Sequence, residues 1–163
     1  MAFDTFLDIK DVPGESTAKG MEGKIEIFSF SFGASNPVTI GSTAGGGGGG
    51  KVSVSSFNVM KKTEKSSPKL FGACARGDHY DKAVITLRKA GGTSGQVEFL
   101  KYEFEEVYVE SIQWSGSSGG DDAPTESVSF AFGKVTVTYT GQDKTGKQAS
   151  PVVASWDVTT VSE

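Results

Sequence analysis

The sequence is poor in the residues that most often carry chemistry. It holds one cysteine, Cys74, and one histidine, His79, in 163 residues. A lone cysteine rules out an intramolecular disulfide, and one His with one Cys is too few for a usual zinc site. Proline is scarce, at 5 residues. No apolar run reaches the length of a membrane-spanning helix, so no membrane insertion is expected. The opening Met1-Ala2-Phe3-Asp4-Thr5-Phe6-Leu7-Asp8 has no basic region ahead of an apolar stretch and does not read as a signal peptide. The expectation is a chain made in the cytosol that leaves the cell, if at all, by a route reading no N-terminal peptide. Positive charge is also dispersed. The formal net charge is −4, and the densest basic cluster, Lys61, Lys62 and Lys65, is interrupted by Glu64. Phosphate backbones are bound by clustered Lys and Arg, which argues against nucleic acid as a main partner.

Glycine is plentiful, at 22 residues, and Val and Phe lead the large apolar residues. That bias favours strands. The chain is too apolar and too weakly charged to be disordered, and its length suits one domain over 1–163. Short alternating segments run from end to end. Phe6 to Ile9 reads as a first strand, stopped by Asp11, Pro13 and Gly14. Lys24 to Phe32 reads as a second, in which Ile25 and Ile27 share one face and Phe28, Phe30 and Phe32 the other. A change of apolar face inside a strand implies a bulge or burial on both sides. Ser29 and Ser31 then point away from the phenylalanines. Val38 to Gly50, with consecutive glycines from Gly45 to Gly50, reads as a long loop, because each glycine adds backbone entropy that ordering must remove. Val52, Val54, Phe57 and Val59 mark the next strand, with a phase slip at Ser55-Ser56.

Residues 66 to 77 form the one convincing helix. Ser67 suits the N-cap, Pro68 the first helical position and Gly77 a left-handed stop, with Leu70, Phe71, Cys74 and Ala75 as the packing stripe. Strands resume at Ala83 to Lys89 and at Val97 to Trp114, whose apolar face changes at Glu105-Glu106. Gly133, between Phe132 and Val135, reads as a corner, and Val152 to Val158 as the last strand. About eight or nine strands with repeated phase slips predict a mainly β fold, a two-sheet antiparallel β-barrel with one flanking helix.

The candidate reactive groups do not converge. Gly45 to Lys51 begins like a phosphate-binding loop, but Val52 stands where Ser or Thr would bind magnesium, and a strand follows instead of a helix. Cys74 falls on the apolar stripe of the helix, where a free thiol behaves as a small hydrophobe. His79 reads as a helix-exit residue. Glu105 and Glu106 are adjacent in a strand and point to opposite faces, so they form no close dyad. Asp121 and Asp122 lie in a Gly/Ser loop with too few oxygen donors for calcium. No catalytic, cofactor or metal residues are expected.

The residues resemble one family in order along nearly the whole chain. Phe6-Leu7-Asp8-Ile9-Lys10-Asp11-Val12-Pro13-Gly14-Glu15-Ser16 resembles its opening strand and Gly-Glu-Ser turn. Ile25 to Gly33 resembles its aromatic-Ser-aromatic-Gly segment, with Phe30 and Phe32 where tryptophans are common. Gly45 to Lys51 resembles its glycine-rich loop, and Lys65-Ser66-Ser67-Pro68 and Gly77-Asp78-His79-Tyr80 the start and exit of its helix. Leu87-Arg88-Lys89-Ala90-Gly91-Gly92 followed by Val97-Glu98-Phe99-Leu100 is the most specific stretch, and Glu126 to Phe130 also fits. The chain is similar to the haemolysin-coregulated proteins (Hcp) of bacterial type VI secretion systems.

That resemblance implies a structural subunit and not an enzyme. Hexameric rings would stack into an inner tube inside a contractile sheath, capped by a spike protein, with small effector proteins carried in the lumen. On that picture Ser29 and Ser31 suit a polar lumen wall. Gly45, Gly46, Gly47, Gly48, Gly49, Gly50 and Lys51 form a loop able to reach the adjoining ring. One competing expectation is a monomeric carbohydrate- or peptide-binding β-sandwich with Trp114 as its aromatic platform. Another is a hydrolase using Cys74 or His79.

Overall fold

The structure is a computed structural model and describes residues 2–41, 48–92 and 95–163. In chain order the strands are β1 (Phe3–Ile9), β2 (Ile25–Ile27), β3 (Ser29–Ser31), β4 (Ala34–Ser35), β5 (Val38–Thr39), β6 (Gly48–Gly49), β7 (Ser53–Val54) and β8 (Phe57–Lys62). Helix α1 (Ser67–Arg76) follows, and then β9 (His79–Ala90), β10 (Gln96–Ser115), β11 (Thr125–Ala131), β12 (Lys134–Tyr139) and β13 (Val152–Asp157). The fold is mainly β, with antiparallel pairing throughout and one helix among the described residues.

The main sheet has nine strands in the order β2-β1-β9-β10-β11-β8-β3, with β12 and then β13 branching from β10. The expected barrel is corrected in one respect: the hydrogen-bond ladder does not close. Its two ends, β2 and β3, are consecutive in the chain, and a bend at Phe28 separates them. There the Phe28 N–H donates to Met60 O of β8 at 2.8 Å and not to a partner on β2 or β3. The bend also corrects the apolar stripe. Phe30 and Phe32 pack on the core, but Phe28 is 57 % exposed, because the chain turns at that residue.

The long central strand β10 changes partner along its length. It pairs with β12 up to Glu105 and with β11 from Tyr108. The break falls where the sequence changes phase, with Glu106 at φ 52°. Across from it, Gly133 turns the corner between β11 and β12, its N–H donating to Glu105 O at 2.9 Å. An aromatic cluster fills the inside of this corner. Phe104 lies 4.7 Å from both Phe57 and Phe132, and Phe32 lies 5.6 Å from Phe104. Leu7, Ile25, Ile85, Val107 and Val128 extend the core as aliphatic packing.

Helix α1 is found where expected, but its details differ. Ser66, not Ser67, occupies the N-cap position, and no side chain caps the helix. Ser67 is the first helical residue, and its hydroxyl is committed to the interior. The buried side chains are Leu70 and Ala73, with Cys74 partly buried against the core. Phe71 is 53 % exposed and Ala75 is exposed, so the packing stripe is centred on the small Ala73, which lets the helix sit close to β10. Gly77 ends the helix at φ 72°, its N–H donating to Ala73 O at 3.0 Å.

Between β1 and β2, residues 10–24 fold back over the outside of the sheet. Arg88, itself buried, lies over the Phe6 ring and donates through Nη1 to Lys19 O at 2.8 Å. Gly14 sits against β2 with no room for a side chain: an added Cβ would lie 2.2 Å from Lys24 O and 2.6 Å from Ile25 Cα. Those are backbone atoms, so no rotamer change relieves the overlap. Gly14→Ala should cost about 1–3 kcal/mol by forced overpacking. Urea unfolding at fixed protein concentration measures it, and a variant as stable as the parent would count against this packing.

Candidate functional site

Strands β3, β8, β11 and the last third of β10 form a four-strand surface whose two sides differ in chemistry because strand side chains alternate. On one side, Phe30, Val59, Val128 and Ile112 stand in register across the sheet and pack on the core. On the other, Ser31 faces Asn58, Asn58 faces Ser129 and Ser129 faces Ser111. The neighbouring row runs Ser29, Met60, Ser127 and Gln113. The structure thus places the two serines singled out in the sequence on one continuous outward wall that is polar apart from Met60. Both are exposed. Sequence reasoning missed their neighbours Asn58, Ser127 and Ser129. The signal was present in the period-two alternation of Ser127 and Ser129 with Val128 and Phe130.

Side chains on the wall bond to one another. The Ser129 hydroxyl lies 2.7 Å from Asn58 Oδ1 and 2.8 Å from Glu110 Oε1. Glu110 is the extra residue at the register shift between Val109 and Ser111, and this bond turns it toward the same side as Ser129. Farther along the wall, the His79 and Tyr108 rings lean together with centroids 5.6 Å apart.

The glycine-rich segment belongs to a projecting arm. Beyond β3 and β8 the chain continues as two short ladders, Ala34 with Val54 and Ser35 with Ser53, then Val38 with Gly49 and Thr39 with Gly48. The expected long loop from Val38 to Gly50 is corrected at this point, since Gly48 and Gly49 are strand residues. The ladder is short enough, at two residue pairs, to tolerate them. Gly45, Gly46 and Gly47 lie outside the described residues. Gly50 donates to Pro37 O at 2.8 Å, and a Cβ on it would lie 2.6 Å from Pro37 Cγ, so glycine is required there. Every described residue from Gly33 to Lys51 is exposed, and Ile40 presents 89 % of its surface to solvent.

The other singled-out groups lie apart from these features. Cys74 sits on α1 against the core, and His79 is exposed at the start of β9. Glu105 and Glu106 are both exposed, Glu105 with Lys134 Nζ at 3.9 Å. Trp114 is 43 % exposed and lines an open cavity of about 430 Å³ with Asp121, Asp122 and Pro124, but the Phe71 ring leans on it at 5.8 Å.

A polar sheet wall, an exposed arm carrying Val38 and Ile40, and reactive groups that stand apart fit a protein that works by assembly. The comparisons with known proteins agree. The family model described as "Type VI secretion system effector, Hcp" matches residues 6–139. The protein Hcp1 of Pseudomonas aeruginosa is 42 % identical over 159 residues, covering 97 % of this chain and 96 % of that protein. A solved type six secretion system protein superposes with a TM-score of 0.90 at 34 % identity, covering 98 % of each chain. Hcp1 from Salmonella typhimurium superposes with a TM-score of 0.78 at 30 % identity, covering 100 % of this chain and 99 % of that one. The chain belongs to the Hcp family and is a type VI secretion tube subunit. That assignment favours assembly over the monomeric sugar-binding reading of Trp114.

Proposed function

We propose that residues 1–163 act as one domain that closes into a hexameric ring with the β3-β8-β11-β10 wall turned inward. The observation that carries this reading is the wall itself: two in-register rows of mostly polar side chains, broken by Met60, on the side opposite the core. A surface of Ser, Asn and Gln, with Met60 as the large apolar side chain in its two rows, passes a polypeptide along with little burial to hold it. The arm, from Gly33 to Lys51, lies at the far end of β8 from Lys62 and reaches the adjoining ring in a stack. Rings that repeat this heterologous contact along one axis grow into an open tube. The partners are other copies of this chain, a spike protein, a contractile sheath and small effector proteins in the lumen. The chain is made in the bacterial cytoplasm and leaves through the secretion apparatus.

Negative-stain microscopy of the purified protein tests the ring directly: annular particles are expected, and a monomer at high concentration would sink the reading. The wall is tested by Ser31→Arg, which puts a bulky charge among the hydroxyls without touching the core. Retention of cargo by purified rings should fall about tenfold, near 1.4 kcal/mol, while the thermal melting curve stays in place. Unchanged retention would move the lumen elsewhere.

A further inference from the structure

The four-strand wall ends differently at its two ends. Where Phe57 pairs with Phe130, the arm leaves the sheet. At the other end Lys62 pairs with Thr125, and Thr125 with Ser115. There Trp114 and the loop after it enclose an open cavity of about 430 Å³. β8 spans 6 residues between the two ends, about 17 Å at the usual strand rise. No described arm residue lines the cavity.

The chemistry of the two ends is complementary. On the arm, Val38 and Ile40 are exposed, and Lys51 is the one charged residue between Glu26 and Lys61. In the cavity, the Trp114 ring stands near Pro124, the Phe71 ring leans on Trp114, and Asp121 and Asp122 complete the lining. No lysine, arginine or histidine occurs from Ser111 to Gly133. Lys62, opposite Thr125 in the ladder, lines a separate cavity with Glu15, Glu26 and Glu64. Among the described residues Lys51, Asp121 and Asp122 form no ion pair.

We propose that the Trp114 cavity receives the arm of a second copy of this chain, with Val38 and Ile40 against Trp114, Phe71 and Pro124, and Lys51 against Asp121 and Asp122. The inference rests on the reading that the arm reaches the adjoining ring, and it names the surface the arm meets there. Features at opposite ends of the same strands stay apart within one subunit but meet when copies follow one another along the strand direction. That contact is heterologous, so each added ring leaves arms free at one end and cavities free at the other. The aliphatic side chains supply burial. The charges supply direction: arm against arm, or cavity against cavity, brings like charges together, and only head-to-tail order pairs opposite ones.

The test uses assembled protein in a Cys74→Ala background, under conditions where the parent stacks. Ile40→Cys combined with Ser118→Cys, an exposed serine of the cavity lining, should form a disulfide between subunits on mild oxidation. In tubes each subunit links forward to the next ring, so a denaturing gel should show a ladder running past the hexamer. A ladder that stops at the hexamer, or one equally strong in isolated rings, would place the contact between neighbours of one ring and overturn the proposal. Charge exchange is the second measurement. Exposed ion pairs are weak singly but repeat around the ring, so Lys51→Glu should raise the protein concentration needed for tubes about tenfold. Asp121→Lys with Asp122→Lys should do the same, and the triple variant that exchanges both signs should recover most of the loss. Tubes unaffected by Lys51→Glu, or no recovery in the triple variant, overturn the assignment. Deletion of residues 45–50 separates the two levels. Tubes that survive it remove the arm from stacking and the receptor with it. Tubes lost on deletion, with no disulfide between positions 40 and 118 and no recovery on charge exchange, overturn the receptor alone.

Discussion

Replacing Glu126 with glutamine should destabilise the subunit by about 3–5 kcal/mol, the usual cost of stranding a buried charge. Glu126 on β11 and Lys61 on β8 are opposite each other in the ladder, on the core side, and both side chains are fully inaccessible. They form an ion pair, and neighbouring polar groups bond to both partners. Lys61 Nζ also donates to Ser67 Oγ at 3.0 Å and Lys62 O at 3.2 Å. The Ser67 hydroxyl donates to Glu126 Oε1 at 2.9 Å, and the Thr63 hydroxyl donates to Glu126 Oε2 at 3.2 Å. The Glu64 N–H donates to Ser67 Oγ at 3.0 Å, so the start of α1 is fastened to two strands through one network. Glutamine keeps the shape and removes the charge, which leaves the Lys61 ammonium buried without its counter-ion. The double replacement Lys61→Met with Glu126→Leu removes both charges at similar volume and should recover most of the loss, since buried pairs and apolar substitutes are often of similar stability. Urea unfolding of the parent, both single variants and the double variant at one protein concentration measures the coupling. A Glu126→Gln variant within about 0.5 kcal/mol of the parent, the range of ordinary surface changes, would mean that the pair is not sequestered.

Deleting residues 45–50 should leave rings intact and abolish or greatly shorten tubes under conditions where the parent stacks. The deletion removes β6 and with it the β5–β6 ladder, but it touches no residue of the core cluster. Its effect is large because a ring carries one arm per subunit. If each arm contributes about 1 kcal/mol, a hexameric junction loses about 6 kcal/mol, on the order of 10⁴-fold in stacking. Length distributions in electron micrographs and sedimentation of assembled material read the result. Tubes of parental length would remove the arm from the stacking contact.

Much of the architecture was legible because strands write their burial at period two. Phe57, Val59 and Lys61 alternate with Asn58, Met60 and Lys62, and the structure buries the first set and exposes the second. The same rule placed Ser29 and Ser31 outward, and the phase change at Glu105-Glu106 marked where β10 bends. The rule was harder to apply where it gave an unwelcome answer. Lys61 carries the burial parity of its strand, yet beside Lys62 and Lys65 it looks like one more surface lysine. Its partner lies 65 positions away on β11, and a distant counter-ion leaves no local trace. The ladder inside the arm failed to show for a different reason. Gly48 and Gly49 have no strand preference, and only their pairing with Val38 and Thr39 makes them strand residues.

The sequence alone determined the class of element, the helix between residues 66 and 77, the outward serines and membership of a family of assembling subunits, because backbone preference and side-chain alternation are local properties. The tertiary structure decided which rows meet across strands, that Phe28 is a bend and not a core residue, that Glu110 and Asn58 share one hydroxyl, and that Lys61 is paired inside. Those outcomes depend on register between segments far apart in the chain. Register is set by the packing of the whole sheet, which no short window of residues contains.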